Sequence, residues 1–364
     1  MTRYLVHRLL WGVVLLLAIT FCTYAVFSII PYDPGRILFQ PGAQVSPAQL
    51  RAADQKLGVN RPFYDQYWSF LSRFVEHGSL GHAFSGVPLS TIIANTAPVT
   101  GLLVLGGALL MLAVALPLGI LSARYPNTRI DRAVLAVSVL GIALHPFVVG
   151  VVLKQVFGHT FHALPNGGYC PMHHIPQPKT FLLYGRPIPF SSATHAELLQ
   201  MGYYQTPAAY CAGAPWPWRW FEHMILPWIT FALFFLPFYV RIIRTRLIES
   251  YGEAYVLTAR AKGASELRVL VRHLLRPISA TVATMFAFDV GVGITAAMYV
   301  EAVYALPGLA NQALIALGTN GNVEAGYDLP MMAGIVAVVA AAIVTLNIVA
   351  DLVSSRLDPR ITLA

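Results

Sequence analysis

The chain is short of charge. Only 11% of its 364 residues are Asp, Glu, Lys or Arg, and 57% are hydrophobic, whereas a soluble domain carries about 25% charged residues. That balance excludes a water-soluble globule and turns most of the apolar surface toward lipid. Cysteine is scarce: Cys22 lies in an apolar run, and Cys170 and Cys211 lie in a polar segment. No G-x-x-x-x-G-K-[ST] loop occurs, nor even a Gly-Lys pair, so the chain does not hold ATP in the Walker manner. No catalytic triad and no zinc-finger spacing are present, which argues against an anchor for an external enzyme and against a metal site. The net charge of +8 does not mark a nucleic-acid binder, because the charges fall between apolar stretches rather than along one polar face.

What the chain has is long apolar runs. Six are long enough to cross about 30 Å of hydrocarbon as helices: Leu9–Ile30, Pro98–Leu121, Ala133–Phe157, His223–Val240, Ile278–Val300 and Pro330–Val353. The first resembles a signal peptide only superficially. Its apolar run exceeds a signal h-region and no small-x-small site follows, so it is expected to stay as an anchor. With the N-terminus inside, the inner pieces are the N-terminal tip, residues 122–132, residues 241–277 and the tail, and they hold fifteen of the 24 basic residues. Short loops rich in Lys and Arg lie on the cytoplasmic side, so both termini are expected there. Trp216, Trp218, Trp220 and Phe221 fit an aromatic belt at the outer interface. No internal inverted repeat and no broken span is evident.

The expected organisation follows: residues 1–97, first span plus an external helical segment; 98–157, spans two and three; 158–222, an external insertion; 223–353, spans four to six with the inner loop 241–277; 354–364, the tail. In the external segment, Ser46-Pro47-Ala48-Gln49 reads as a capping box with proline at the first helical position, closed by Gly58. A second helix runs from Arg61-Pro62 to His77-Gly78, with Phe63, Tyr67, Phe70 and Phe74 at helical spacing. That stripe either packs on the membrane domain, the favoured reading, or meets an external partner. In the insertion, Cys170 and Cys211 face an oxidising compartment, and a disulfide between them would close a loop of about forty residues, on the order of 4 kcal/mol in the chain-entropy model. His159, His162, His173 and His174 raise a weaker metal reading.

Three charges fall in spans. Lys154 sits near the outer end of span three, where it snorkels. Asp289 lies near the middle of span five, where an ionised carboxylate costs about 2.5–3.5 kcal/mol on insertion scales. It is either a pathway residue facing a cavity and a cationic group, or an acid that is bonded to a neighbouring helix or simply protonated. Glu301 at the end of span five, and His145-Pro146 in span three, are weaker pathway candidates.

The loop 241–277 is the most heavily patterned segment. Glu249 to Lys262 reads as a helix stopped by Gly263, and a second helix runs from Ser265-Glu266 toward Arg276. The small residues Ala259, Ala261 and Ala264 at the break make a knob for a partner's groove. The competing reading is a basic amphipathic helix lying on anionic lipid.

Glu253-Ala254-Tyr255, Thr258-Ala259-Arg260-Ala261-Lys262-Gly263-Ala264 and Arg268-Val269 through His273 resemble the EAA loop of ABC-importer permeases, and more narrowly the dipeptide/oligopeptide/nickel permease family. Arg8-Leu9, Pro31-Tyr32-Asp33-Pro34, Leu57 to Pro62 with Gln66-Tyr67, His223 to Pro227, Pro307-Gly308-Leu309 and Asp358-Pro359-Arg360 extend the likeness over most of the chain. Ala254 stands where the family usually has an acid, Tyr32 where its external motif has glycine, and Asp289 where an uncharged polar residue is common. The insertion 158–222 differs in character.

The resemblance implies an all-α polytopic protein with six transmembrane helices, the type I importer permease fold, in a bacterial inner membrane. It implies a second homologous permease as partner in the pore and two ATPase subunits, which bind ATP and Mg2+ and dock on Glu253–Ala264. An extracytoplasmic binding protein would deliver cargo, di- or oligopeptides by this likeness, with nickel, haem-like and sugar cargos also handled by relatives. No cofactor and no nucleic acid is expected on this chain. The alternative is an ion-gradient-driven secondary transporter with Asp289 as its coupling site.

Overall fold

A computed structural model of the chain describes residues 2–29, 35–36, 39, 44–143, 145–170, 180–183, 186–189, 216–317 and 327–357. The long helices are α1 (Thr2–Ile29), α4 (Leu89–Arg124), α7 (Trp216–Tyr251), α10 (Leu275–Tyr304) and α12 (Leu329–Leu357). Shorter ones are α2 (Pro47–Leu57), α3 (Phe63–His77), α5 (Arg129–Ala143), α6 (Pro146–Leu153), α8 (Ala254–Ala261), α9 (Glu266–Arg268) and α11 (Leu309–Ala316). A π-helical turn, Val269–Leu274, joins α9 to α10 and makes Glu266–Tyr304 one continuous span.

Among the described residues, five helices are long and apolar enough to cross a membrane: Val6–Ile29, Leu89–Arg124, Trp218–Tyr251, Glu266–Tyr304 and Leu329–Leu352. The expected third span is instead broken. α5 stops short of His145, which has φ −63° and ψ 142° and caps α6 through its ring, the Phe147 N–H donating to Nδ1 at 3.3 Å. The cause is local: Pro146 pushes the residue before it out of the helical region and is itself suited to a first helical position. Beyond α6 the chain makes a π-helical turn, Lys154–Thr160. Reading an unbroken apolar run missed this break. The expected starts of spans two and four are also too late, because Pro98, Pro117, Pro227 and Pro237 lie inside α4 and α7. Neighbouring helices in a bundle tolerate prolines that would end a soluble helix.

α7 is the central post and α1 the peripheral one: half of the α7 span is buried within the chain, against 17% for α1. α4 and α7 come together along a line of small residues. A Cβ on Gly107 would meet the Phe231 ring at 2.7 Å, one on Gly119 would meet Ile243 at 2.7 Å, and Gly106 faces the Trp228 indole. Gly293 of α10 meets Phe231 from the other side. Lipid tails are as apolar as side chains, so close backbone approach and dispersion, rather than water exclusion, hold such helices together. The Trp228 indole N–H donates to Leu102 O at 3.0 Å across the same seam.

The capping box at Ser46 is present with both of its bonds, and Gly58 and Gly78 close α2 and α3 in the left-handed conformation. The α3 stripe packs on α1. Phe63 and Tyr67 lie 5.8 and 5.4 Å from Phe21, and Phe70 lies 5.8 Å from Tyr24. Phe74 stays 51% exposed and takes no part. In the insertion a two-stranded antiparallel hairpin pairs β1 (Thr180–Leu183) with β2 (Arg186–Pro189), a small exception to the all-helical expectation.

The α4–α7 seam gives a direct test. Gly107→Val forces methyl groups into the Phe231 ring, an overpacking penalty of about 1–3 kcal/mol, and should lower the Tm of the detergent-solubilised protein by several degrees. Gly101→Ala, whose Cβ meets nothing within 4 Å, should leave Tm unchanged or slightly raised by better helix propensity.

Candidate coupling site

α7 carries straight through the expected boundary at Arg241 and ends at Tyr251. The turn after it is closed by Gly252 N–H donating to Glu249 O at 3.3 Å and Glu253 N–H to Ser250 O at 3.2 Å. The helix expected from Glu249 to Lys262 is therefore two pieces, and Glu253, extended at φ −74° and ψ 144°, is the N-cap of α8. Gly252 supplies no side-chain restraint against the turn, and an acid at the cap favours the amide dipoles that follow.

α8 ends where Gly263 takes φ +78°. Lys262 N–H bonds Thr258 O at 3.1 Å, Gly263 N–H bonds Arg260 O at 2.9 Å, and Ala264 N–H bonds Ala259 O at 3.1 Å. This left-handed stop favours glycine. Across it, the Arg260 fork donates to both oxygens of Glu266, at 2.9 and 3.1 Å, and the guanidinium lies 5.6 Å from the Tyr251 ring centre. Arg260 thus ties the end of α7, α8 and α9 into one folded knob.

Burial divides the predicted residues in two. Val256 is fully buried and Ala259 is 8% exposed, and both belong to the buried cluster that includes Val269, Leu274 and Leu247. Glu253, Ala254, Tyr255, Thr258, Ala261, Lys262 and Gly263 are exposed, while Arg260 and Ala264 are intermediate. The smallness of Ala259 therefore serves the loop's own packing. Sequence reasoning missed the apolar part of the open surface: Leu257 is 56% exposed, Leu267 72% and Val271 57%, alongside Tyr255 at 43%. An interrupted helix hides this pattern, because the period resets at Gly263.

The loop is braced at its root by a pair the sequence reading also passed over. Asp131, 1% exposed, receives Arg244 Nε at 2.6 Å and a second Arg244 nitrogen at 2.7 Å. The Ser122 hydroxyl and the Asn127 N–H, the latter at 2.8 Å, donate to the same carboxylate. Arg244 holds the Asp131 carboxyl well below the usual carboxylate range, against the opposing effect of burial. This joins the α4–α5 turn to α7 two turns before the knob. The available signal was that Asp131 is the sole acid among the arginines of residues 122–132.

The other predicted site residues fall elsewhere. Asp289 Oδ2 accepts the Tyr239 hydroxyl of α7 at 2.7 Å, and the residue stays partly exposed. Glu301 is fully buried, accepting from the Thr100 hydroxyl at 2.6 Å and the Asn311 N–H at 2.7 Å. It caps α11 and ties it to α4. Lys154 does not snorkel; its ammonium donates to Val303 O at 2.6 Å at the end of α10, where cations are favoured. Asp328 does the same work for α12 that Glu301 does for α11. It takes the Phe84 and Met331 amides at 2.6 and 2.9 Å, and burial pushes its carboxyl up to about 7. Cys170 is buried and disulfide-bonded, and Cys22 is a free thiol. Cys211, His173, His174, Tyr32–Pro34 and Asp358–Arg360 lie outside the described residues.

Comparison with known families assigns the chain as a whole. Residues 115–363 match the binding-protein-dependent transport system inner membrane component, and residues 1–100 match its N-terminal companion. The chain belongs to that family. It is the membrane permease of an ABC importer, the subunit that forms the passage, not the one that hydrolyses ATP. The oligopeptide transport system permease protein AppB of Bacillus subtilis is 27% identical over 99% of both chains. The probable D,D-dipeptide transport system permease protein DdpB of Escherichia coli is 29% identical over 96% of this permease and 95% of that one.

Breaking the Asp131 brace should be costly. Asp131→Asn leaves Arg244 without its counter-charge, about 3–5 kcal/mol for a buried pair, and should be read as a fall in Tm. The sign with pH follows from the lowered carboxyl. Its stabilisation is present above the ordinary carboxylate value, near 4, and is lost as pH falls through that value toward the folded-state one. The Tm of the unaltered permease should therefore drop more steeply below about pH 4 than that of Asp131→Asn.

Proposed function

We propose that this chain is one of two homologous permeases in an importer for di- or oligopeptides, set in a bacterial inner membrane with both termini in the cytoplasm. Two ATPase subunits, which bind ATP and Mg2+, dock on the 252–267 knob, and an extracytoplasmic binding protein delivers the cargo. The observation that carries this reading is the knob itself, a folded unit braced by Arg260–Glu266 that keeps Tyr255, Leu257 and Leu267 exposed at its surface. An apolar side chain held open at a membrane protein's water-facing end fits a protein groove. The cargo class follows the relatives' names.

A knob seated in a groove of the ATPase moves with it. Closure of the ATPase pair around ATP would carry α8 and, through the α7 root, rock the bundle between two access states. Lys262 and Arg260 contribute charge at its edge, and Gly263 keeps the turn free of side chain.

Leu257→Asp and Gly263→Trp should each abolish ATP hydrolysis stimulated by loaded binding protein and cut co-purification of the ATPase, while permease content in the membrane stays normal. Unchanged coupling in both variants would overturn the docking assignment. Ala259→Asp should instead reduce the folded permease itself. Uptake that survives ATP depletion with the ion gradient intact would favour the gradient-driven alternative. Mass spectrometry of a proteolytic digest should show Cys170 linked to Cys211, a linkage lost on reduction.

A further inference from the structure

Asp289 lies at the edge of an open face whose chemistry differs from that of a lipid-facing helix. On α10 the exposed positions between the helix ends are Thr284, Phe288, Val292, Thr295 and Tyr299, a single stripe at helical spacing. On α1 the exposed positions from Leu9 to Val26 are Leu, Trp, Val, Ala, Phe and the one Cys, the composition of a face in contact with acyl chains. Two threonines and a tyrosine make the α10 stripe a more polar wall than that α1 face, the Thr284 hydroxyl donating to Ala280 O at 2.9 Å. His145, exposed by the break in the third span, extends that wall, its ring 4.4 Å from Tyr299.

Asp289 sits about 100° round the helix from Phe288, where the stripe gives way to the contact with α7. It is roughly 20 Å along α10 from both Arg276 and Tyr304 at 1.5 Å per residue. Tyr239, 1% exposed, holds Oδ2 at 2.7 Å, and the tyrosine's burial fixes that oxygen's direction. Among the described residues Oδ1 has no hydrogen-bond partner, and Asp289 is partly exposed. One oxygen is anchored and the other is presented at the edge of a polar wall. Intramembrane acids in such positions pair with cations or line solute pathways.

The geometry points to Asp289 as a transit site for a cationic group, the terminal ammonium of a peptide, on the wall of the passage. The ammonium donates to Oδ1 while Tyr239 keeps Oδ2. The site extends the peptide-importer reading and depends on it for the identity of the cargo, but its water access does not.

The test uses the assembled complex. In a Cys22→Ser background, Asp289→Cys should react with a trimethylammonium methanethiosulfonate from the aqueous phase, and trialanine with binding protein should slow that reaction at least fivefold. No reaction would place Asp289 in lipid or in a dry interface and overturn the site. Asp289→Asn should cut trialanine uptake at least tenfold with the partner permease still co-purifying, Asp289→Glu should restore most of it, and N-acetyl-trialanine uptake should be unaffected. Equal loss for both peptides, normal trialanine uptake by Asp289→Asn, or loss of the partner permease would each overturn it, the last by making Asp289 a contact between permeases. If the unaltered complex imports no trialanine while Asp289→Cys still reacts, the peptide reading fails and the water-facing site stands.

Discussion

Close contact between α4 and α7 decides where everything else lies. Gly106, Gly107 and Gly119 let the two backbones approach until Trp228, Phe231 and Ile243 fill the space a side chain would take. In a bilayer no water is released when apolar helices meet, so the gain comes from dense packing that only small residues permit. α7 then runs on beyond the seam to Tyr251 without interruption. The knob built from α8 and α9 is therefore placed by packing that occurs far from it, and α10 joins the same seam through Gly293.

Around this seam, among the described residues, four buried or half-buried charges have fixed partners. Asp131 takes Arg244, Glu301 and Asp328 take the first amides of α11 and α12, and Lys154 takes a carbonyl at the end of α10. Three of these four use helix ends, where unpaired amides or carbonyls and the helix dipole already favour the charge. Their effect is to fasten short elements to long ones. α11 is held at its start by Glu301 and at its end by Asp328, whose N–H donates to Ala316 O at 2.7 Å.

Much of the plan was legible in the sequence, because membrane helices announce themselves by length and apolarity. The capping box at Ser46, the stop at Gly263 and the packing of the α3 stripe through Phe63, Tyr67 and Phe70 were also readable, since each depends on residues close in sequence. What was not readable depended on contacts across the fold. Asp131 and Arg244 are separated by 113 positions, Glu301 and Thr100 by 201, and neither separation leaves a periodic trace. The breaks at His145 and at Gly252-Glu253 failed for another reason. Each sits inside a run whose composition suits a helix, and a single local preference, proline's neighbour in one case and glycine in the other, overrides it.

The unbroken length of α7 has a mechanical consequence. A helix of 36 residues is ~54 Å long, so a tilt of about 10° pivoting near Trp216 would sweep Tyr251 through roughly 9 Å. Pro227 and Pro237 lie within that shaft, each removing one internal hydrogen bond and marking a place where it can flex. A small change of angle at the aromatic end thus becomes a large stroke at the knob, and the reverse holds with the leverage inverted.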